Sequence, residues 1–179
     1  IKLFIDNLRW QGVPFYIKTG KRLTHKSTEI IVEFKSGIHS FYSSHELDSN
    51  ILVIRIQPLE GVFFQFNSKQ PGTENIVVPV KMDFCQNCQL ESNSPAAYER
   101  LLLDIIKNDS TLFTRWDEVE YAWEFIDRIK NSWSSIQPEF PNYRAGSGGP
   151  AAADRLIKGD DRNWWQINKL NMEQMTKNK

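Results

Sequence analysis

The chain has 179 residues, in which 22 Lys and Arg balance 22 Asp and Glu, and 40% of the residues are hydrophobic. This composition predicts a folded globular domain with a well-formed core and argues against intrinsic disorder. A net charge of zero without a basic block makes a nucleic-acid-binding sheet only the third choice of function. The longest apolar runs are too short to span a bilayer, and no signal-peptide pattern occurs.

The chain begins with Ile1 rather than Met, so we expect it to be a piece of a longer polypeptide. Its two cysteines cannot build a disulfide framework, which favours a reducing compartment and makes the cytoplasm the expected location.

Short β-branched and aromatic runs separated by turn residues predict successive strands in the first half of the chain. The candidate strands are 29–35, 40–43, 51–57, 62–67 and 76–83. Connections this short favour antiparallel neighbours, because a parallel crossover needs about a dozen residues or more.

In the strand 51–57, residues of opposite character alternate between two faces. Leu52, Ile54 and Ile56 share the apolar face, and Val53, Arg55 and Gln57 share the other. Arg55 and Gln57 could face a ligand, or they could lie on the ordinary solvent side of an antiparallel sheet.

Helical spacing of apolar residues begins after residue 93. Ser94 and Pro95 suit a helix start, and the run continues to Asn108. A second helix follows Thr114, with acidic residues in its first turn and an apolar stripe expected to be core: Val119, Trp123, Ile126 and Ile129. Pro150 is expected to start a third short helix, and the tail 168–179 is expected to fray. The elements together predict an α+β fold, with helices over one face of a mainly antiparallel sheet.

Residues 9–23 concentrate aromatic side chains, two glycines and several cations. Glycine lets a backbone approach a phosphate closely, so Lys21 and Lys26 could converge on one anion if the segment between them bends. Two solvated surface lysines are the alternative, and spacing alone favours it.

Three other patterns are weaker signals. Cys85 and Cys88 have the CxxC spacing of redox or zinc sites, with two reduced thiols as the alternative. Residues 146–150 could bind an anion before a helix, although a packed turn is favoured because no P-loop lysine is present. The three histidines at positions 25, 39 and 45 lack an identified catalytic or metal-binding partner, so no metal site is predicted.

Several motifs give the chain a resemblance to the C-terminal domain of glucose-6-phosphate dehydrogenase. They are RWxGVPF at 9–15, TGKxL at 19–23, the strand 52–58, AYERLLLD at 97–104, LFTR at 112–115 and YxAGSxGP at 143–150. Their order and spacing cover almost the whole chain up to Trp165.

The resemblance implies a large, mainly antiparallel sheet with helices, preceded in the complete enzyme by an N-terminal Rossmann domain that is absent here. It implies a homodimer or homotetramer assembled through the sheet, with glucose 6-phosphate as substrate. In this family the Lys of the GK pair and a basic residue five positions later bind the sugar phosphate, and these positions hold Lys21 and Lys26. Gln57 is implied to lie near the substrate. No catalytic residue is expected in this chain, because the base and the catalytic NADP site belong to the absent domain.

Some family members bind a second, structural NADP in this domain. The resemblance retains Arg55, Asp83 and Trp165 for such a site, but other positions that hold basic residues or tyrosine in those members differ here: Ser27, Phe63, Gln65 and Gly148. Loss of phosphate partners predicts a site that is absent or much weakened. The alternative to the enzyme is a non-catalytic sugar-phosphate-sensing or oligomerisation module derived from it.

Overall fold

The computed structural model describes residues 1–35, 49–58, 60–72, 76–85, 97–136 and 139–165. Contacts within the chain divide it into two compact units, Ile1–Glu91 with Tyr143–Lys179 and Ser92–Asn142. Among the described residues, the first unit holds two sheets and one helix, and the second holds two helices. The α+β class is confirmed, whereas the single domain expected from composition stays a prediction. The candidate strand 40–43, the helix-start residues Ser94 and Pro95, and the tail 168–179 lie outside the described residues.

A small antiparallel sheet pairs β1 (Lys2–Phe4) with β2 (Pro14–Tyr16). The turn between them is built on Asn7, whose side-chain oxygen accepts hydrogen bonds from the backbone N–H groups of Arg9 and Trp10 at 3.1 and 2.9 Å. Asn favours this position because its short amide can mimic a backbone turn. The ring of Trp10 then meets Phe15 edge to face, with centroids 5.4 Å apart.

The main sheet contains four strands in the order β3-β4-β5-β6, and every neighbouring pair is antiparallel. The strands are β3 (Thr28–Glu33), β4 (Ile51–Gln57), β5 (Gly61–Lys69) and β6 (Val77–Cys85). The antiparallel prediction is therefore confirmed, and β4 has the predicted bounds.

The two faces of this sheet differ in composition and in exposure. Directly paired residues share a face, so register places Val53, Phe63 and Asp83 together, with Arg55 two residues along β4. We call this side the mixed face. The other side, the apolar face, carries hydrophobic residues from all four strands: Ile30, Val32, Leu52, Ile54, Val62, Phe64, Val80, Met82 and Phe84.

The mixed face is the covered one. Val53 is 2% exposed and Phe63 is 6% exposed, whereas Met82 and Phe84 on the apolar face are 60% and 62% exposed. One alternative from the sequence made the face of Val53 and Arg55 an ordinary solvent-exposed side of the sheet. That prediction is wrong around Val53 and Phe63, which are buried. In the described part of the chain only Val53, Phe63 and Ile157 are buried hydrophobic residues, so the well-formed core predicted from composition is not observed.

The cover comes from the C-terminal end of the described chain. Helix α3 (Ala151–Lys158) begins after Pro150 as predicted, and it buries Ile157. Beyond it, the ring of Trp165 lies 6.1 Å from that of Phe63. The Arg162 side chain donates to Glu33 at 2.9 Å and thereby ties this segment to β3.

The same segment also contacts the small sheet. Asp160 accepts hydrogen bonds from Lys2, at 2.8 Å, and from the Tyr16 hydroxyl. These two bonds hold the pKa of Asp160 below its ordinary value. Desolvation, followed by the bond to Asp160, raises the pKa of Tyr16. The C-terminal segment therefore links both sheets of the first unit.

The second unit contains α1 (Ala97–Ile106) and α2 (Trp116–Ile136). Both helices were predicted, but α2 has no buried residue. Trp123 and Ile126 are 58% and 40% exposed, so the stripe expected to be core is partly exposed within this chain. The described residues supply no close-packed cover for it.

Candidate functional site

Lys21 lies on a short irregular segment, residues 20–24, which we call the Lys21 loop. Its side chain is exposed, while its backbone carbonyl accepts a hydrogen bond from the Tyr143 hydroxyl at 2.7 Å. Gly20 makes this approach possible, because a Cβ there would lie 2.8 Å from the tyrosine oxygen and 3.3 Å from Leu23. The exposed side chain of Lys21 therefore extends from a backbone that is held by a hydrogen bond.

Two further bonds join the Lys21 loop to residues 143–149, the tyrosine-glycine turn. The N–H of Gly146 donates to the carbonyl of Arg22 at 2.8 Å, and the N–H of Thr24 donates to the carbonyl of Ser147 at 3.1 Å. Arg22 has a φ of 56°, and Gly146 has a φ of 78°. Left-handed backbone is costly for a residue with a Cβ, so these bonds stabilise a conformation that Arg22 would rarely adopt alone.

The tyrosine-glycine turn also forms internal bonds. The Ser147 hydroxyl donates to the carbonyl of Arg144 at 2.6 Å and accepts from the N–H of Gly149 at 3.4 Å. The backbone N–H groups of Gly146 and Gly149 are therefore both engaged. These bonds favour the packed-turn interpretation of residues 146–150, and an anion site there stays a hypothesis.

Lys26 and Gln57 lie at the same end of the β3–β4 pair. Lys26 lies two residues before β3, and Thr28, the first residue of β3, pairs with Gln57 at the end of β4. Both Lys26 and Gln57 are exposed. The three residues predicted to contact the substrate therefore lie in the first unit. Lys21 is an exposed cation on a fixed loop, and Lys26 and Gln57 are exposed at one end of the main sheet.

Arg55 and Asp83 form an ion pair across the mixed face. Both terminal nitrogens of Arg55 contact the Asp83 carboxylate, and Nη2 also donates to the carbonyl of Phe84 at 3.0 Å. Gly61 is the cross-strand partner of Arg55, and a Cβ there would collide with the Phe84 carbonyl and lie 2.9 Å from Nη2. Among the described side chains, Arg55 Nε is the one buried polar atom without a hydrogen-bond partner.

The residues retained for a structural NADP do meet in space. Arg55 and Asp83 are paired, and Trp165 lies against Phe63, the cross-strand partner of Asp83. The arrangement fits a phosphate-bearing nucleotide poorly, because the Arg55 guanidinium already binds the Asp83 carboxylate and the Phe84 carbonyl. Ser27, Gln65 and Gly148 supply no compensating positive charge.

Glu29 lies opposite Arg55 in the β3–β4 register. Burial raises the pKa of the Glu29 carboxyl, although the positive charges of Arg55 and His25 act in the opposite direction. The desolvation of Glu29 thus outweighs its attraction to the neighbouring cations.

Cys85 is disulfide-bonded, which corrects the interpretation of two reduced thiols. Cys88, His39 and His45 lie outside the described residues, and His25 is exposed. Within the described ranges, no three His, Cys, Asp or Glu side chains come together as a metal site. None of the described helices combines the length and hydropathy needed to cross a membrane.

Residues 1–165 match the family described as glucose-6-phosphate dehydrogenase, C-terminal domain. The chain belongs to this family. It is 46% identical over 168 residues to glucose-6-phosphate 1-dehydrogenase of Bacillus subtilis. This match covers 93% of the present chain and 34% of the relative. It is 49% identical over 169 residues to the Chlamydia muridarum enzyme of the same name, covering 92% of this chain and 33% of that one. The chain thus spans about a third of the length of these relatives.

Solved glucose-6-phosphate dehydrogenase structures share the fold. The Mycobacterium avium enzyme is 30% identical with a TM-score of 0.68, and the match covers 93% of this chain and 34% of that one. A glucose-6-phosphate dehydrogenase in complex with its substrate glucose-6-phosphate is 28% identical with a TM-score of 0.73, over the same shares of the two chains. The predicted family is therefore confirmed.

Sequence reasoning did not single out Tyr143 as a site residue. Tyr143 lay within the family motif YxAGSxGP, but spacing along the chain could not show that it reaches Lys21, 122 residues away. The signal available in the sequence was the glycine at position 20, whose missing side chain leaves room for a close neighbour.

Proposed function

We propose that this chain is the substrate-binding and dimerising part of a cytoplasmic glucose-6-phosphate dehydrogenase. The complete enzyme would oxidise D-glucose 6-phosphate to 6-phosphogluconolactone with NADP in the pentose phosphate pathway. The 46% identity to the Bacillus subtilis enzyme over 93% of this chain carries the proposal. Because the chain spans about a third of such enzymes, the hydride acceptor site and the catalytic base belong to the remaining part.

Lys21 and Lys26 hold the substrate phosphate in this proposal, and Gln57 binds nearby. Lys21 is exposed on a fixed backbone, and Lys26, two residues before β3, and Gln57, at the end of β4, are exposed at the same end of the main sheet. A lysine ammonium is a compact positive charge that suits a phosphate. Binding energy from the phosphate would orient the reacting carbon of the sugar toward the base and cofactor.

The apolar face of the main sheet is the proposed dimer interface. It presents side chains from four strands, and several of them are half exposed or more, including Ile30, Met82 and Phe84. Contiguous apolar patches of this kind mark interaction surfaces on folded proteins. A twofold dimer would bury the same face on both subunits.

The structural NADP site is proposed to be lost. Arg55 is engaged by Asp83, and Ser27, Gln65 and Gly148 carry no positive charge. A nucleotide that bound only the folded chain would raise its melting temperature. We expect NADP to leave the melting temperature of the 179-residue chain unchanged, and a concentration-dependent rise would contradict this part of the proposal.

The central experiment is Lys21→Ala in the full-length enzyme that contains this chain. We expect KM for glucose 6-phosphate to rise about 10- to 100-fold, because a hydrogen bond between charged groups contributes about 1.5–3 kcal/mol. KM for NADP should change little. Lys158→Ala, another exposed lysine of the same unit, is the matched control. An equal rise in both KM values would show that Lys21 is structural.

The 179-residue chain alone should not oxidise glucose 6-phosphate. The assay follows NADPH absorbance with saturating substrate and NADP, with the full-length enzyme as the positive control. Robust oxidation by the isolated chain would contradict the assignment of the base and cofactor site to the other part of the enzyme.

A further inference from the structure

Tyr143 donates its hydroxyl hydrogen to the carbonyl of Lys21, on the residue that the proposed function assigns to the substrate phosphate. The bond is 2.7 Å long, which is a good length for a hydroxyl donor. We propose that Tyr143 is a positioning residue for the substrate phosphate, acting through the backbone of the Lys21 loop. The inference rests on the proposed role of Lys21 and adds to it.

The Lys21 loop is held along one edge by three bonds, at Lys21, Arg22 and Thr24. Two of them are backbone bonds that a side-chain substitution leaves in place. The Tyr143 hydroxyl is the side-chain member of the set, and it acts at the residue that carries the ammonium group. Its removal should therefore loosen the position of Lys21 without dismantling the loop.

Gly20 gives independent support for this role. A Cβ at position 20 would lie 2.8 Å from the Tyr143 hydroxyl oxygen, closer than real Cβ contacts allow. The φ of Gly20 is not in the left-handed region, so backbone conformation does not demand glycine here. Glycine is required here because the Tyr143 hydroxyl occupies the space that a Cβ would need. Gly20 and Tyr143 together fix where the chain enters the Lys21 loop.

The loss of the hydroxyl is expected to cost little stability, because the exposed Lys21 carbonyl can bond to water instead. Its effect should appear in substrate affinity, since a mobile lysine must be ordered when the phosphate binds. Affinity for NADP does not depend on this loop in the proposed function and should stay constant.

The test uses Tyr143→Phe in the full-length enzyme, with KM for both substrates, kcat and melting temperature measured. We expect KM for glucose 6-phosphate to rise about fivefold, the equivalent of one ordinary hydrogen bond, with KM for NADP and the melting temperature unchanged. Tyr16→Phe is the matched control, because it removes a hydroxyl bonded to Asp160 in the same unit. It should leave KM for glucose 6-phosphate unchanged.

Gly20→Ala supplies the second measurement. It should raise KM for glucose 6-phosphate in the wild type and have a smaller effect when Tyr143 is already Phe, because the oxygen that it meets is then gone. Additive effects of the two substitutions would overturn the inference. So would an unchanged KM in Tyr143→Phe beside a raised KM in Lys21→Ala, which leaves the proposed function standing. An unchanged KM in Lys21→Ala would overturn the proposed function itself, and the role of Tyr143 with it.

Discussion

The two faces of the main sheet differ in how far the rest of the chain covers their apolar side chains. The mixed face is covered by the chain itself, because Trp165 packs on Phe63 and Arg55 is paired with Asp83. The apolar face is richer in hydrophobic residues and yet is more exposed. Hydrophobic content therefore does not identify the inner side of this sheet. The position of the covering segment decides it.

The comparison also indicates what each face requires. On the mixed face, Arg55 pairs with Asp83 and Glu33 accepts a hydrogen bond from Arg162, although Arg55 Nε lacks a partner. The apolar face consists mainly of hydrophobic side chains, so another apolar surface would suit it. A second copy of the same face meets that need, since hydrophobic burial is non-directional and scales with area.

The largest expected effect follows a charge placed on the apolar face. Phe84→Glu should weaken self-association about a thousandfold, because an unpaired carboxylate in an interface costs several kcal/mol. Sedimentation equilibrium of the full-length enzyme would measure the dissociation constant. Gln65→Glu adds the same charge to the mixed face and should leave association unchanged. Equal dissociation constants for the two variants would contradict an interface on the apolar face.

The next effect concerns the covered face. Phe63→Ala should lower the free energy of unfolding by about 3 kcal/mol, because it leaves a cavity and removes the ring against Trp165. Urea denaturation should show this loss at every protein concentration. Phe84→Ala is the control, because its cost should appear only where dimers form and should therefore depend on protein concentration. A concentration-dependent loss in Phe63→Ala would place Phe63 in the interface instead.

Much of this fold was predictable from local patterns. Alternation identified β4 and its two faces, helical spacing identified α1 and α2, and Pro150 identified the start of α3. The far end of α2 was harder to foresee, because its last turns are rich in Ser and Asn. Ser132, Ser134 and Ser135 each donate a hydroxyl hydrogen bond to the carbonyl four residues earlier. Such bonds let serine remain within a helix that it does not favour.

The exposure of each face was not predictable, because it depends on contacts between distant residues. Phe63 and Trp165 are about 100 residues apart, and no periodicity connects them. Lys21 and Lys26 were identified through the family motif rather than by spacing, which alone favoured surface lysines. The bonds that Tyr143 and Gly146 make to the Lys21 loop became visible only in the structure.

A smaller effect is expected for the ion pair of the mixed face. Asp83→Asn keeps the side-chain shape but leaves Arg55, whose side chain is 10% exposed, without its carboxylate. The free energy of unfolding should fall by about 2 kcal/mol, the cost of an unpaired and partly buried charge. Asp127→Asn breaks an exposed pair with Lys130 and should change stability by less than about 1 kcal/mol. Equal losses would mean that Arg55 finds a new partner or water.

The smallest effect is a pH dependence at Glu29, beside Arg55. Burial raises the pKa of Glu29 above its ordinary value of 4.5, so the folded chain holds this proton more tightly than the unfolded chain does. Its contribution to stability therefore falls as pH rises through the interval between the two pKa values. Glu29→Gln cannot ionise, so wild type should lose stability relative to it over that interval in urea denaturation at stepped pH. Asp160, whose pKa is lowered, should show the opposite sign against Asp160→Asn: wild type loses its advantage as pH falls. A wild-type advantage over Glu29→Gln that grows with pH would mean that attraction to Arg55 outweighs burial on the mixed face.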